Sequence, residues 1–349
     1  MIDVNGMRSV MAVDQQHGWP VRLLYRDYLR SPATFAAHVE RFRESLTLYL
    51  RAWERHAVRF GTSSWIEPRW IGMLYGRWYG STGDFVSGAL EEYARVFTTL
   101  CLDVGPYCPP SASWLQHLNE QLPQQAGVVV ADETLMYRFP YGHPIREKRG
   151  ELNRRFLDAE DFGARLCASL RPLATRIGMV MLPLARIYAT DEVKPAWLLR
   201  RLDAFLAGLP REYRYAVELA NPEFTLPEYL ACLRAHGVAH VLRHEGETDT
   251  GDPFLTNADR RPSLLVDQLQ VPGILTAEFC VVRVARQHPP SDLLLGIREL
   301  VRRCVRDRVS LSVFVDTGAG RPAPLVILEL LTALNPELAQ YSPIKRQAA

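Results

Sequence analysis

Four charged residues each stand near the end of a short apolar run: Asp103 in TLCLDV, Glu218 in YAVELA, Arg283 in FCVVRVA and Asp316 in LSVFVD. Three carboxylates brought together can do acid–base work, because a carboxylate held among others has a raised pKa. An arginine beside them can fork onto a carboxylate or phosphate. Catalytic roles therefore fall to Asp103, Glu218 and Asp316, and an anion-holding role to Arg283. The same groups packed together without a ligand would be a structural ion-pair network.

Elements that bring such distant residues together are legible in the pattern. Apolar runs at 58–63, 99–104, 127–131, 178–182, 215–220, 239–243, 279–285 and 311–316 alternate with amphipathic stretches. The latter lie near 83–97, 111–122, 158–174, 193–207, 226–236, 262–269, 291–307 and 322–333. Eight strands, each followed by a helix, predict a (β/α)8 TIM barrel with an N-terminal helical extension. A doubly wound sheet would need a glycine-spaced phosphate turn after its first strand, and Gly61-Thr62-Ser63-Ser64-Trp65 lacks it. Expected boundaries are 1–57 for the extension, 58–336 for the barrel and 337–349 for a tail.

Strand parity then sorts the side chains. Asp103, Glu218, Arg283 and Asp316 fall on the inward face near the C-terminal strand ends, where barrel active sites lie. Thr62 or Ser63 joins them from strand one. Trp65, Tyr107, Thr317, Gly318 and Gly320, in the loops after strands one, two and eight, complete the expected ligand-binding set. Gly318-Ala319-Gly320-Arg321-Pro322-Ala323 reads as a glycine turn opening a helix, whose free N–H groups can hold a phosphate. Too few residues follow it for a dinucleotide fold. Asp316-Thr317-Gly318 matches an aspartic-protease loop, but that chemistry needs two such loops in an all-β fold.

No metal and no cofactor are expected. His236, His240 and His244 are spaced by four, yet Gly237 ends a helix between the first and second. His236 reads as a helix C-terminal residue favoured by the dipole, His240 as a strand residue, and His244 alone as reaching the mouth. The six cysteines are scattered without a C-x-x-C pair and read as reduced, buried thiols.

The 349 residues are 48% hydrophobic and 23% charged, an ordinary globular composition. With 41 Lys+Arg against 39 Asp+Glu no global field favours nucleic acid or an anionic membrane. The longest apolar stretch, IGMVMLPLARIYA, is broken by Pro183 and Arg186 and too short to span a bilayer. The N-terminus lacks the apolar segment of a signal peptide. A soluble, cytoplasmic protein with a small-molecule, phosphate-containing ligand follows as the expectation.

Ser31-Pro32 starts a long helix whose apolar face is Phe35, Val39, Phe42, Leu46, Tyr49 and Trp53. It either packs against the barrel or forms a homodimer. Residues 138–156, RFPYGHPIREKRGELNRRF, form a long basic loop suited to a lid, a binding surface or a plain solvated connection.

Phe60-Gly61-Thr62-Ser63-Ser64-Trp65 with Trp70 and Tyr75 resembles the opening of the YecE-like family, domain of unknown function seventy-two. So do the order and spacing of VFTTLCLDVGPYCPPS, RYAVELANPEF, LTAEFCVVRVA and SVFVDTGAGRPAP. The resemblance covers residues 58–335 and implies a TIM barrel without an established reaction. This chain departs from the family's usual pattern. After Glu218 stand Leu219, Ala220 and Asn221 where Arg-His is common, and Ala285-Arg286 replaces His-Gly. Asp316-Thr317 replaces paired Asn, and Met181 a Gln.

Three functions remain open. One is a hydrolase or lyase acting on a phosphorylated or sugar-like compound. Another is a binding or regulatory barrel without catalysis, which the departures favour. The third is a nucleic-acid-processing barrel similar to endonucleases, whose metal ligands the strand ends lack. Among the carboxylates, Glu218→Gln is expected to cost little or even stabilise, because Asp103 and Asp316 would add negative charge.

Overall fold

Period-two alternation lets a barrel strand bury both faces, one inside the barrel and one under the helices. The computed structural model describes residues 31–104, 112–123, 125–130, 132–167, 170–173, 175–245, 264–285, 290–316 and 321–341. Helix α1 (Pro32–Glu54) precedes β1 (Val58–Thr62), α2 (Thr82–Ala94) and β2 (Cys101–Val104). There follow α3 (Ala112–Gln121), β3 (Ala126–Val130), α4 (Ala159–Phe162) and β4 (Ile177–Leu184). Next come α5 (Pro195–Gly208), β5 (Tyr215–Leu219), α6 (Pro227–Ala235) and β6 (Ala239–Glu245). The chain ends with α7 (Leu265–Gln268), β7 (Phe279–Ala285), α8 (Pro290–Asp307), β8 (Ser310–Asp316) and α9 (Ala323–Tyr341).

All eight strands pair in parallel in the order β1-β8-β7-β6-β5-β4-β3-β2, a nearly closed (β/α)8 barrel. Inside sit Cys101, Val129, Met179, Met181, Ala216, Ala239, Val241, Phe279, Val281 and Phe314. The alternate residues, among them Val58, Phe60, Leu102, Val217, Leu242, Val282 and Val313, face the helices. Parity read from sequence therefore holds in the strand middles. Gly127 makes room for the largest interior ring: a Cβ there would lie 2.9 Å from Phe314 Cζ.

Among the described residues no ladder joins β1 to β2, and Tyr93 of α2 bridges that seam. Its hydroxyl donates to the Thr99 carbonyl at 3.0 Å and accepts from the Thr62 N–H at 3.0 Å. Gly61 belongs to the same seam, since a Cβ there would lie 2.5 Å from Thr99 O. The small residues after Phe60 thus serve a close approach of two strands. That is a packing reason for a stretch that the sequence reading assigned to the mouth.

The N-terminal helix is part of the same core. Val39, Leu46, Leu50 and Trp53 are buried, and α1 packs on β1 and α9. Burying side chains of this size contributes about 1.5–3 kcal/mol each. The apolar face expected either to pack or to dimerise is thus used within the chain. Leu48 lies elsewhere on the helix and is 70% exposed.

Two elements differ from expectation. The helix expected over 158–174 is broken: α4 runs into a π turn (Gly163–Cys167), and a separate 3-10 turn holds Pro172. Proline lacks the N–H that a continuing helix needs. Helix α9 continues through Pro336 to Tyr341, beyond the expected start of a tail at 337. Glu337 is buried there and pairs with Arg298 at 3.3 Å and Arg302 at 3.1 Å, which ties the extra turns to α8.

The basic 138–156 loop is tied down by named bonds. Arg138 pairs with Asp191 and bridges to Leu152. Lys148 Nζ lies 2.7 Å from Glu133 Oε2, and His143 Nε2 lies 3.1 Å from its Oε1. Burial pushes the Glu133 carboxyl up, but Lys148 and His143 outweigh it and hold it below the usual carboxylate range. No helix among the described residues is long and apolar enough to cross a membrane.

Candidate functional site

The middle layers of the barrel interior are largely apolar, and the C-terminal end turns ionic within one pleat. Glu218 lies two residues beyond Ala216, Arg243 two beyond Val241, Arg283 two beyond Val281 and Asp316 two beyond Phe314. Glu218 is buried, with Oε2 accepting from Arg283 Nη1 at 2.5 Å and Oε1 lying 3.4 Å from Arg243 Nε. Arg243 also pairs with Glu245 on its own strand.

Register explains why that carboxylate is needed. Arg243 and Arg283 are direct Cα partners across β6 and β7, and both point inward. Like charges placed opposite each other in a sheet repel. Glu218 on β5 reaches both guanidinium groups and offsets that repulsion.

A third arginine joins from the end of β4. Arg186 Nη1 donates to the Ala220 carbonyl at 2.8 Å. Burial lowers the pKa of its guanidinium; Glu223 and Tyr188 oppose the shift, and Arg243 adds to it. Asn221 holds the two strand ends together: Oδ1 accepts from the Ile187 N–H at 2.8 Å and Nδ2 donates to its carbonyl at 2.9 Å. The mouth described here is thus richer in cations than the sequence reading, which named Arg283 alone.

Of the residues singled out from sequence, Glu218 and Arg283 are brought into contact. Asp316 is exposed at the end of β8, with its Cα opposite Ala285. Asp103 takes the register position opposite Val129, two residues beyond interior Cys101, and its side chain lies outside the described residues. Tyr107, Thr317, Gly318 and Gly320 also lie outside them, and with them the expected phosphate turn. Ser63 is half-buried at the end of β1, its N–H bonded to the Val315 carbonyl at 3.2 Å.

Three placements are corrected. Thr62 shares the outward face of Val58 and Phe60, and its side chain meets Tyr93 at 3.1 Å rather than the mouth. Trp65 is buried in the outer layer, where Nε1 donates to the Val86 carbonyl at 2.9 Å. His244 shares the outward face of Leu242; it is buried behind the barrel, with Nδ1 3.4 Å from the Leu265 N–H. Parity extended by two residues accounts for Thr62 and His244; Trp65 lies past the end of β1, where alternation no longer applies. Among the described residues Glu218 meets two arginines rather than other carboxylates.

Arg243 and Arg186 escaped the sequence reading for different reasons. Arg243 continues the Ala239-Val241 alternation, a signal present but unused. Arg186 lies past Pro183, beyond the end of β4, where alternation no longer applies. Chemically, guanidinium groups crowded at a strand end suit an anion and repel a metal cation.

Comparison with known proteins places this architecture. A family model described as Protein of unknown function DUF72 matches residues 59–348. UPF0759 protein YecE of Escherichia coli K12 is 26% identical over 167 residues, 48% of this chain and 50% of that protein; its counterpart in strain O157:H7 matches equally. The chain thus spans about half the length of the curated relatives it matches. A solved DUF72 family protein from Thermotoga maritima superposes with a TM-score of 0.51 at 19% identity, over 80% of this chain and 99% of that one. Another, from Enterococcus faecalis, gives 0.48 at 15% identity, over 80% and 97%. With the family model spanning the whole barrel, the chain belongs to the DUF72 family of proteins of unknown function.

Proposed function

We propose that the C-terminal mouth of the barrel binds a small anionic compound, phosphorylated or sugar-like, and serves a hydrolase or lyase reaction upon it. One observation carries the reading: Arg186, Arg243 and Arg283, from the ends of β4, β6 and β7, gather where a barrel takes its ligand, with two of them on Glu218. An arriving anion does for the Arg243–Arg283 neighbours what Glu218 already does, so it enters a place built for negative charge. Glu218 then holds the arginines in position. Asp316, exposed on the same inward face, is the better placed group for proton transfer.

The alternative of a barrel that binds without catalysis has its own support, since Glu218 is engaged by two guanidinium groups. Both readings share the anion. Thermal melting of the full chain with inorganic phosphate, a hexose phosphate and the free hexose tests it. The expected result is a rise of a few degrees with the hexose phosphate, lost in Arg283→Met and Arg243→Met, and none with the free hexose. No shift with either phosphate, or shifts that survive both substitutions, would overturn the reading.

A further inference from the structure

On the outer wall of the barrel, away from the mouth, α5 and α6 lie side by side. Cys232 and His236 are four residues apart at the end of α6, a spacing that puts both side chains on one face. Asp203 of α5 points at the same spot. His236 Nε2 lies 2.8 Å from Asp203 Oδ1, and the Cys232 thiol lies 3.8 Å from that same oxygen. All three candidate donor atoms fall within 4.8 Å of one another.

We propose that Asp203, Cys232 and His236 bind one zinc ion, with water in the fourth position, and so stitch α5 to α6. A thiolate, an imidazole and a carboxylate are the usual protein ligands of zinc, at about 2.3, 2.0 and 2.1 Å. Tetrahedral edges built from those bonds are about 3.4 Å for N···O and about 3.6 Å for S···O. The observed S···O distance of 3.8 Å is close to its edge, while the N···O distance of 2.8 Å is that of a hydrogen bond and opens by about 0.6 Å on binding. Asp203 can make the adjustment, because its side chain is 63% exposed and the backbone of α5 need not move.

The proton balance is simple. Burial, with Asp203 adding to it, pushes the Cys232 thiol up to about 11, so at neutral pH it carries its proton. Zinc binding forms the S–Zn bond and releases that proton to water, so affinity rises with pH. The expectation of no metal weighed the groups at the barrel mouth, a three-histidine site and a thiolate-pair site, but not a mixed trio across two helices. This trio draws on the helix layer instead, beside the N-terminal end of β6, where a barrel's residues serve stability.

Cobalt is a suitable probe because a thiolate bound to it gives a charge-transfer absorption that oxygen and nitrogen ligands do not. The full chain, stripped with chelator, is titrated with cobalt alone. We expect a thiolate band and the visible spectrum of four-coordinate cobalt, saturating at about one equivalent and bleached by zinc. Cys232→Ser should erase the band. Asp203→Asn, at an exposed position that leaves the fold intact, should weaken cobalt binding at least about tenfold. Absence of the band, its survival in Cys232→Ser, or an unchanged affinity in Asp203→Asn would each overturn the proposal and leave a plain His–Asp pair.

Discussion

Two of the arginine–glutamate clusters among the described residues, one under α1 and one at the mouth, are built differently. Arg43 of α1 reaches Glu92 of α2 with side chains only 7% and 2% exposed. Glu92 also accepts from Tyr79 and from the Gly76 N–H at 2.7 Å, while Arg43 Nε donates to the Leu74 carbonyl at 2.8 Å. One cation meets one buried anion, Tyr79 and two backbone groups add to the shell, and exposed Glu40 lies 2.6 Å from Arg43 Nη1. At the mouth, one carboxylate meets two guanidinium groups that are 23% and 28% exposed. The first cluster is a sealed staple holding α1 against the barrel. The second faces the C-terminal mouth of the barrel, with Glu218 shared by two guanidinium groups, one of which also holds Glu245. Neither burial nor charge ratio alone separates structure from site, since buried Glu337 also meets two arginines while tying α9 to α8; the place on the barrel makes the difference.

The sharpest way to break this comparison is to cut the staple. Arg43→Met leaves Glu92 charged and buried without its partner, which costs about 3–5 kcal/mol. Urea denaturation beside the parent measures it. A loss below about 1 kcal/mol would mean that Tyr79 and the Gly76 amide suffice, and the cluster would not be a staple.

One source of acid sensitivity lies outside both clusters. His240 is buried behind β6, and burial lowers its pKa to about 4. Tyr229 Oη lies 3.1 Å from Nδ1, and its hydroxyl donates there when the ring is neutral. In the unfolded chain the imidazole titrates near its ordinary value of about 6.5. The unfolded state therefore binds the extra proton first as pH falls. The stabilisation is fully present above about 6.5 and is lost on the way down to about 4, on the order of 3 kcal/mol in all. His240→Gln should flatten stability across that window in a pH series of urea melts. A slope unchanged in the variant would move the acid response to the carboxylate clusters and blur the contrast between them.

Much of the barrel was legible because strands and helices write different periods into the chain. The eight runs that alternate or stay apolar fall within a few residues of the eight strands, and parity alone put Glu218 and Arg283 inside together. At the site, reading failed at strand ends. Thr62 and His244 obey the same parity as Phe60 and Leu242, so they face outward, but a polar side chain at a strand tip invites assignment to the mouth. Arg243 was readable by continuing Ala239 and Val241. Arg186 was not, since its place depends on how the chain turns after Pro183. The Asp203, Cys232 and His236 trio shows the other limit: spacing gives two members, and only the packing of α5 on α6 supplies the third.

The smallest expected effect tests the mouth itself, and its sign has turned. With carboxylates around it, Glu218→Gln would relieve repulsion. With Arg243 and Arg283 as register neighbours, the same change removes their shared counterion. Loss of hydrogen bonds to charged groups costs about 2 kcal/mol, less than cutting the staple because solvent screens the partly exposed guanidinium groups. The informative step is adding inorganic phosphate to the melt. If the mouth is an anion site, phosphate should stabilise the Gln variant more than the parent, since it replaces the missing negative charge between the two arginines. If Glu218→Gln falls as far as Arg43→Met and phosphate restores nothing, the two clusters are the same kind of object. The mouth is then a second staple.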